Sequence, residues 1–378
     1  MVSSFENSLL EELKRLKEEN LYRYRIFLFQ KGLKVLCSNN YLNLSNHPKV
    51  KEKVIQTLRE FPVGSGASQL VSGYTQIHKE LEEYLSQLKG VESCVIFGSG
   101  YLANIGTVSA LFGKGDVIFS DQLNHASIID GVRLSQAQKF IYPHGDVPTL
   151  KKLLEEHRHK YRRCGIVTDS VFSMDGDIAP LKELNLLAKN FECALIIDDA
   201  HATGTLGYSS LEYFGIKPEG HIIQVGTFSK ALGSYGAFVC GSKVLAQYLV
   251  NRARSLIFST SLPPPVIAAS IASLEILKDN PSLISSLQKR AQFIKELLIK
   301  EGFNLGFSLF ITPIVPIIFG SEEKTLKVRD CLFKKGFFVQ AIRYPTVERG
   351  KARLRLTVTL EHPTEVYEKF IEILKKCL

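Results

Sequence analysis

An α/β fold, with a mostly parallel sheet covered by helices on both faces, is predicted by three features of this 378-residue sequence. Short apolar runs alternate with helix-period segments between residues 94 and 241, the pattern of strands joined by crossover helices. Pro263-Pro264-Pro265 ends that pattern, and a long helical stretch then leads into a smaller α/β region. Acids, imidazoles and an amine fall at the C-terminal ends of the predicted strands, where such sheets bind their ligands.

Leu9, Leu10, Leu13, Leu16 and Leu21 recur at near-helical spacing, so residues 6–21 are read as an amphipathic N-terminal arm. A short strand at 34–37 and a turn at 39–43 precede helices at 48–61 and 77–88, with a small-residue loop at 64–68 between them. Strands are then predicted at 94–97, 117–120, 139–142, 165–168, 194–198, 222–227 and 237–241. Helices at 102–111, 128–134, 149–157 and 181–190 separate the first five. Beyond the prolines come helices at 266–277 and 283–300, strands at 315–319, 338–342 and 352–357, and helices at 322–335 and 364–378. The expected domains are an arm at 1–45, a large domain at 46–263, and a small C-terminal domain at 264–378 that packs with the arm.

Hydrophobic residues make up 45% and charged residues 22% of the chain, a globular rather than a disordered composition. The run Met1-Val2-Ser3-Ser4-Phe5-Glu6 opens no apolar core of signal-peptide length, and no apolar stretch reaches membrane-spanning length. Seven cysteines are scattered without any Cys-x-x-Cys, several within apolar runs. They are read as free thiols in a reducing cytoplasm, not as a disulfide framework or zinc site. The net charge of +9 is spread among interspersed acids, as in Lys14, Arg15 and Lys17 beside Glu11, Glu12, Glu18 and Glu19. That pattern marks solvated helix faces and gives no nucleic-acid stripe, while a mild positive bias suits a phosphate-bearing small molecule.

The chemistry centres on Lys230, in Thr227-Phe228-Ser229-Lys230, after the apolar run 221–225. The preceding strand, 194–198, delivers Asp198, Asp199 and His201 at its end. An amine, an acid and an imidazole at neighbouring strand ends are what pyridoxal 5′-phosphate (PLP) requires. The amine forms a Schiff base, and the acid keeps the pyridine nitrogen protonated so that the ring acts as an electron sink. Strand alternation sends Asp198 and Asp199 to opposite faces without deciding between them; Asp198 is taken as the ring partner and His201 as the contact to the phenolic oxygen.

Gly98-Ser99-Gly100-Tyr101-Leu102-Ala103 follows a strand and opens a helix, exposing backbone N–H groups to an anion. The same spacing fits a dinucleotide fingerprint with Asp121 as its ribose acid, so a nicotinamide-dependent oxidoreductase is the rival reading. It leaves Asp198, His201 and Lys230 without a task. His125, just after the strand at 117–120, is placed to stack on the pyridine ring. Ser173 and Thr227 follow strand ends and offer hydroxyls to the cofactor, although local caps are the commoner fate of such residues. In the small domain Arg353 and Arg355 share a strand face, and a guanidinium there suits a substrate carboxylate.

Asn39-Asn40-Tyr41-Leu42, Val71-Ser72-Gly73-Tyr74, Asn124-His125-Ala126-Ser127, Phe172-Ser173-Met174-Asp175-Gly176, Asp198-Asp199-Ala200-His201 and Ser229-Lys230, in this order, resemble the α-oxoamine synthases. The resemblance spans nearly the whole chain and implies PLP fold type I: a large PLP-binding domain, a smaller C-terminal α/β domain and an N-terminal helical arm. It implies Lys230, His125 and Asp198 as catalytic residues. Gly100, Tyr101, His125, Ser173, Asp198, His201, Thr227 and Lys230 are implied around the cofactor, and Arg23, Asn39, His125, Thr346 and Arg355 on the substrate side. Leu21-Tyr22-Arg23-Tyr24-Arg25 offers Arg25 as an alternative to Arg23. A homodimer with the site at its interface is also implied. The runs 259–264, 341–347 and 352–357 resemble the biotin-synthesis branch, which joins L-alanine to a pimeloyl thioester carried by CoA or a carrier protein. The run 124–134 is equally at home in the branch that joins glycine to an acetyl group. Asn43, Ala67 and Gln69 depart from the family's usual loop residues.

Overall fold

The computed structural model describes residues 3–28, 32–308 and 311–378. Its elements, in chain order, begin with α1 (Ser4–Glu18), β1 (Lys34–Val35), α2 (Pro48–Glu60), α3 (Gln76–Lys89) and β2 (Ser93–Phe97). There follow α4 (Gly100–Leu111), β3 (Val117–Asp121), α5 (Ala126–Ser135), β4 (Gln138–Tyr142), α6 (Val147–His157), β5 (Cys164–Asp169), α7 (Leu181–Asn190) and β6 (Ala194–Asp198). Next are α8 (Ser210–Phe214), β7 (Ile222–Thr227), β8 (Ala237–Gly241), α9 (Lys243–Arg252), α10 (Arg254–Ile257), α11 (Pro264–Asp279) and α12 (Ser282–Lys300). The chain ends with β9 (Ile314–Gly320), α13 (Glu322–Lys334), β10 (Phe337–Phe338), β11 (Gln340–Ile342), β12 (Ala352–Thr357) and α14 (Thr364–Lys375).

Two compact units form. The larger comprises Asn39–Ser173 and Asp177–Gln288; the smaller comprises Met1–Ser38, Met174–Gly176 and Lys289–Leu378. The boundaries therefore lie at 38/39 and 288/289 instead of the expected 45/46 and 263/264. The cause is α11, buried on nearly all sides and packed on α2 and α3, which keeps it with the larger unit. Asp175 forms an ion pair with Arg353, and Thr312 donates to the Gly176 carbonyl, which ties residues 174–176 to the smaller unit.

The larger unit carries a seven-stranded sheet in the order β2-β8-β7-β6-β5-β3-β4. Strands β3 to β7 pair in parallel, and β8 lies antiparallel between β7 and β2. Successive residues of its central strands enter opposite cores. Leu195 and Ile197 join the cluster under α6 and α7, whereas Ile196 joins the one under α4, α5 and α9. This two-sided burial explains why the strands read as continuous apolar runs. The chemically active side chains project from the strands' C-terminal ends.

In the smaller unit, β11-β12-β9 form an antiparallel sheet and β1 pairs in parallel with β10. The single strand expected at 338–342 is thus two short strands in two sheets. Leu36, Val315, Leu354, Leu356, Tyr367 and Phe370 belong to its core. The arm helix α1 starts with a reciprocal cap between Ser3 and Glu6 and buries none of its residues. The arm's continuation is held within this unit by Arg343, whose guanidinium donates to the Asn20 and Tyr22 carbonyls, and by the Arg349–Glu19 ion pair at 2.8 Å.

The expectation of free thiols is overturned. Cys94–Cys240, Cys164–Cys193 and Cys331–Cys377 are disulfides, leaving Cys37 as the free cysteine. Cys94 and Cys240 face each other across β2 and β8. Partners 146, 29 and 46 residues apart carry no spacing signature, so only the fold brings them together. The argument from cysteine usage to a reducing compartment loses its premise. Thiol titration of the unreduced, unfolded chain should therefore find one reactive group, Cys37, and reduction should expose seven. Reduction should also lower the unfolding midpoint, since a cross-link of this kind contributes about 2–4 kcal/mol. Seven thiols before reduction would contradict the pairing. Among the described residues no helix is long and apolar enough to cross a membrane.

Candidate active site

Lys230 lies in the turn between β7 and β8. Gly233 closes that turn by donating to the Lys230 carbonyl at 2.9 Å with a φ of +61°. A Cβ on Gly233 would lie 2.2 Å from the Ser45 backbone nitrogen, so both conformation and space require glycine there. The Lys230 amine is 2.8 Å from His201 Nε2, and His201 Nδ1 is 2.8 Å from the Tyr41 hydroxyl. Tyr41 donates in turn to Asn39 Oδ1 at 3.0 Å. With Tyr41 donating onward, the network assigns the His201 proton to Nδ1 and leaves Nε2 to accept from the amine. The structure thus joins Lys230, His201 and Asn39 through Tyr41.

Asp198 and Asp199 part company at the end of β6, as strand alternation requires. Asp198 accepts from the Ala200 amide at 2.8 Å and from Asn104 Nδ2 at 2.6 Å. Asp199 instead accepts from the amide and hydroxyl of Ser210, with the fully buried Lys89 ammonium 4.0 Å away. Asp169, at the end of neighbouring β5, pairs in register with Asp198 and accepts from the His125 amide at 2.7 Å. Burial pushes the Asp169 carboxyl well up, and the nearby Asp198 charge pushes the same way. Burial lowers the His125 pKa; Asp198 opposes that shift and Lys230 reinforces it. A neutral imidazole, open to solvent, therefore stands beside the acid and the amine.

The helix α4 begins at Gly100, capped by the Ser99 hydroxyl, which accepts from the Leu102 amide at 3.2 Å. A Cβ built on Gly100 would meet only Thr227 Cβ, at 3.9 Å, so backbone N–H groups at this helix start are open to an anion beside Thr227. Thr227 Oγ1 donates to the Gly236 carbonyl at 2.7 Å and lies 2.7 Å from Ser229 Oγ. The Tyr101 ring is exposed and its hydroxyl donates to Asp130, leaving its backbone as the part that faces an anion. Ser173 sits at the edge of this unit, just before residues 174–176.

Asp121, the acid of the nicotinamide reading, is committed elsewhere. It accepts from the amides of Leu123 and Gly145 and is bound to His144, whose other nitrogen is 2.7 Å from Asp177. Burial opposes the His144 charge, but hydrogen bonds to Asp121 and Asp177 override it and raise the pKa to about 10. This charged clamp fixes the loops after β3 and β5.

The donor set fits PLP. An amine, an acid, two imidazoles and an open helix N-terminus with a hydroxyl converge at neighbouring strand ends of the larger unit. In the smaller unit Arg355 is buried on β12, two residues from Arg353, which is engaged with Asp175. Thr346, Arg23 and Arg25 are exposed. Sequence reasoning gave no role to Tyr41 as an individual residue, and missed Asn104, Ser127 and Asp169. Tyr41 lies in the run Asn39-Asn40-Tyr41-Leu42; Asn104 shares α4 with Thr107 and Ser109, so composition alone does not single it out.

The sequence profile described as Aminotransferase class I and II matches residues 32–374. The chain belongs to this family, and within it to the α-oxoamine synthases, which use PLP. A relative from Aquifex aeolicus, provisionally named 8-amino-7-oxononanoate synthase, is 56% identical over 368 residues, 97% of this chain and 96% of its own. The 8-amino-7-oxononanoate synthase of Citrifermentans bemidjiense is 48% identical over 375 residues, 95% of each chain. Among solved structures, serine palmitoyltransferase from S. paucimobilis with bound PLP and myriocin superposes with a TM-score of 0.91 at 27% identity, covering 98% of this chain and 96% of that one.

Proposed function

We propose that the chain condenses L-alanine with a pimeloyl thioester to give 8-amino-7-oxononanoate, carbon dioxide and the free thiol carrier. The observation that carries the chemistry is the contact between the Lys230 amine and His201, with the buried Asp198 and with His125 close to both acid and amine. The substrates are supported by the names of relatives at 48–56% identity across nearly the full chain.

PLP held by Lys230 supplies an electron sink for the negative charge that develops at the alanine Cα. Asp198, held by the Ala200 amide, would keep the ring nitrogen protonated, while His201, backed by Tyr41, would reach the phenolic oxygen. His125 covers the ring as a neutral imidazole. Thr227 and the start of α4 receive the phosphate, with Gly100, Tyr101 and Ser173 beside the cofactor. With the substrate amine taking its place on the cofactor, the Lys230 amine would be free to take the Cα proton. A carbon–carbon bond then forms between Cα and the thioester carbonyl as the thiol leaves. The carboxylate carbon departs as carbon dioxide, and Lys230 returns a proton to the same carbon. Arg355 is assigned to a substrate carboxylate, with Thr346, Asn39 and Arg23 on the substrate side.

The functional form is proposed to be a homodimer. The turn at Gln69–Gly73 packs beside α10, and there Leu70, Val71 and Phe258 remain exposed, an apolar surface suited to a second copy.

A thiol-release assay crossing alanine, glycine and serine with acetyl-, succinyl- and pimeloyl-CoA tests the reading. Alanine with pimeloyl-CoA should be fastest, and a preference for glycine with acetyl-CoA would overturn the choice of substrates. In the same assay Arg355→Ala should raise the alanine KM about 10- to 100-fold, the effect of losing a charged hydrogen-bonded pair. An unchanged KM removes Arg355 from the site.

A further inference from the structure

We propose that Asn104, acting with Ser127, is a positioning residue that orients the Asp198 carboxylate toward the cofactor's ring nitrogen and couples it to His125. The inference rests on the PLP chemistry proposed above and concerns residues to which that chemistry assigns no role.

Asn104 sits within α4, almost fully buried. A buried amide is costly unless it is hydrogen-bonded, so its partners explain its place. Nδ2 donates to Asp198 Oδ2 at 2.6 Å and to Ser127 Oγ at 2.9 Å. Ser127, fully buried at the start of α5, places Oγ 2.7 Å from His125 Nδ1. A continuous chain His125–Ser127–Asn104–Asp198 therefore runs beneath the cofactor residues. Gly131 makes it possible: a Cβ there would lie 3.0 Å from Val108 Cβ and 3.1 Å from the Asn104 carbonyl oxygen, so glycine lets α5 lie close against α4.

The chain has a direction. Turning the Asn104 amide over would set Oδ1 2.6 Å from a carboxylate oxygen, oxygen against oxygen, so the N–H group must face Asp198. In the assigned orientation Oδ1 is buried with no hydrogen-bond partner among the described residues. That group is left unsatisfied for the sake of the two donor contacts. Because Ser127 Oγ already accepts from Asn104, its own O–H is free to donate to His125 Nδ1. The Ser127 amide also approaches Nδ1, at 3.3 Å. Nδ1 is thereby an acceptor, and the His125 proton is assigned to Nε2 in a neutral ring. One amide thus fixes both the rotation of the acid that meets the ring nitrogen and the tautomer of the imidazole that covers the ring.

The test compares the wild-type enzyme with Asn104→Leu, Asn104→Asp and Ser127→Ala. Three quantities are read: the Kd for PLP added to apoenzyme, the unfolding midpoint of the apoenzyme, and exchange of the alanine α-proton by the holoenzyme. Asn104→Leu should weaken PLP binding and slow exchange by about 10- to 100-fold, the effect of one hydrogen bond to a charged group. Ser127→Ala should slow exchange less and leave PLP binding closer to wild type. Asn104→Asp keeps the shape of the side chain and sets a second carboxyl against Asp198, so that the pair must share a proton. The protonated form can donate the missing bond. Asn104→Asp should therefore regain exchange as pH falls and lose it as pH rises, relative to wild type, in a site that also contains Asp169, His125 and Lys230. A purely structural role for Asn104 predicts a lower apoenzyme midpoint and a pH profile parallel to wild type. That outcome, or wild-type exchange and PLP affinity in Asn104→Leu, overturns the proposal. Failure of the wild-type enzyme to exchange the alanine proton would instead count against the proposed function.

Discussion

Lys230→Ala is expected to lose condensation activity by about four orders of magnitude or more, because one side chain both attaches the cofactor and moves the Cα proton. General-base catalysis alone contributes about 10²–10⁴-fold, and loss of the covalent attachment adds to that. The variant should still bind PLP, since Asp198, His125, His201, Thr227 and the start of α4 remain. Borohydride should no longer fix the cofactor covalently to the chain, because no lysine-bound cofactor is present to be reduced to a stable secondary amine. Covalent fixation that persists would move the attachment point to another amine. His201 lies 2.8 Å from the Lys230 amine and Tyr41 lies behind it, so the substitution leaves an intact polar pocket.

Asp198→Asn should separate cofactor binding from cofactor activation. The replacement is nearly isosteric, but its single amide oxygen can accept from Ala200 or from Asn104 and not from both, and the negative charge that keeps the ring nitrogen protonated is gone. PLP should remain bound while alanine α-proton exchange falls about 10²–10³-fold, the range seen when one preorganised electrostatic contact is removed from a reacting centre. Exchange near the wild-type rate would contradict the assignment of Asp198. Asp169 is not expected to take over. Burial still pushes its carboxyl up in the variant, and it is already engaged by the His125 amide.

The parallel sheet was legible because its strands are buried on both faces, which writes each one as an unbroken apolar run such as Leu195-Ile196-Ile197. The strand ends then placed Asp198, His125 and Lys230 together, as the structure does. Helices α8, α9 and α10 were missed. They are short or only partly apolar on their buried side, and tertiary packing, not periodicity, holds them. The strand expected at 338–342 divides because Phe338 pairs with β1 while Gln340 pairs with β12, a change of partner that no local pattern encodes. The cysteine reading failed for a similar reason: Cys94 and Cys240 look like buried thiols in two apolar strands, and only the antiparallel register of β2 and β8 turns them into a pair. Asn104 was invisible in the same way. Its importance comes from a contact to a residue 94 positions away.

The central claim is that the chain couples formation of a carbon–carbon bond at the alanine Cα to loss of the alanine carboxylate. Carboxyl-labelled L-alanine tests this directly. Incubated with the PLP-loaded enzyme and pimeloyl-CoA, it should release one labelled carbon dioxide for each thiol freed, and release should stop when either substrate is left out. Thiol release with the label retained in the product would mean acyl transfer or hydrolysis without decarboxylation, and would contradict the account.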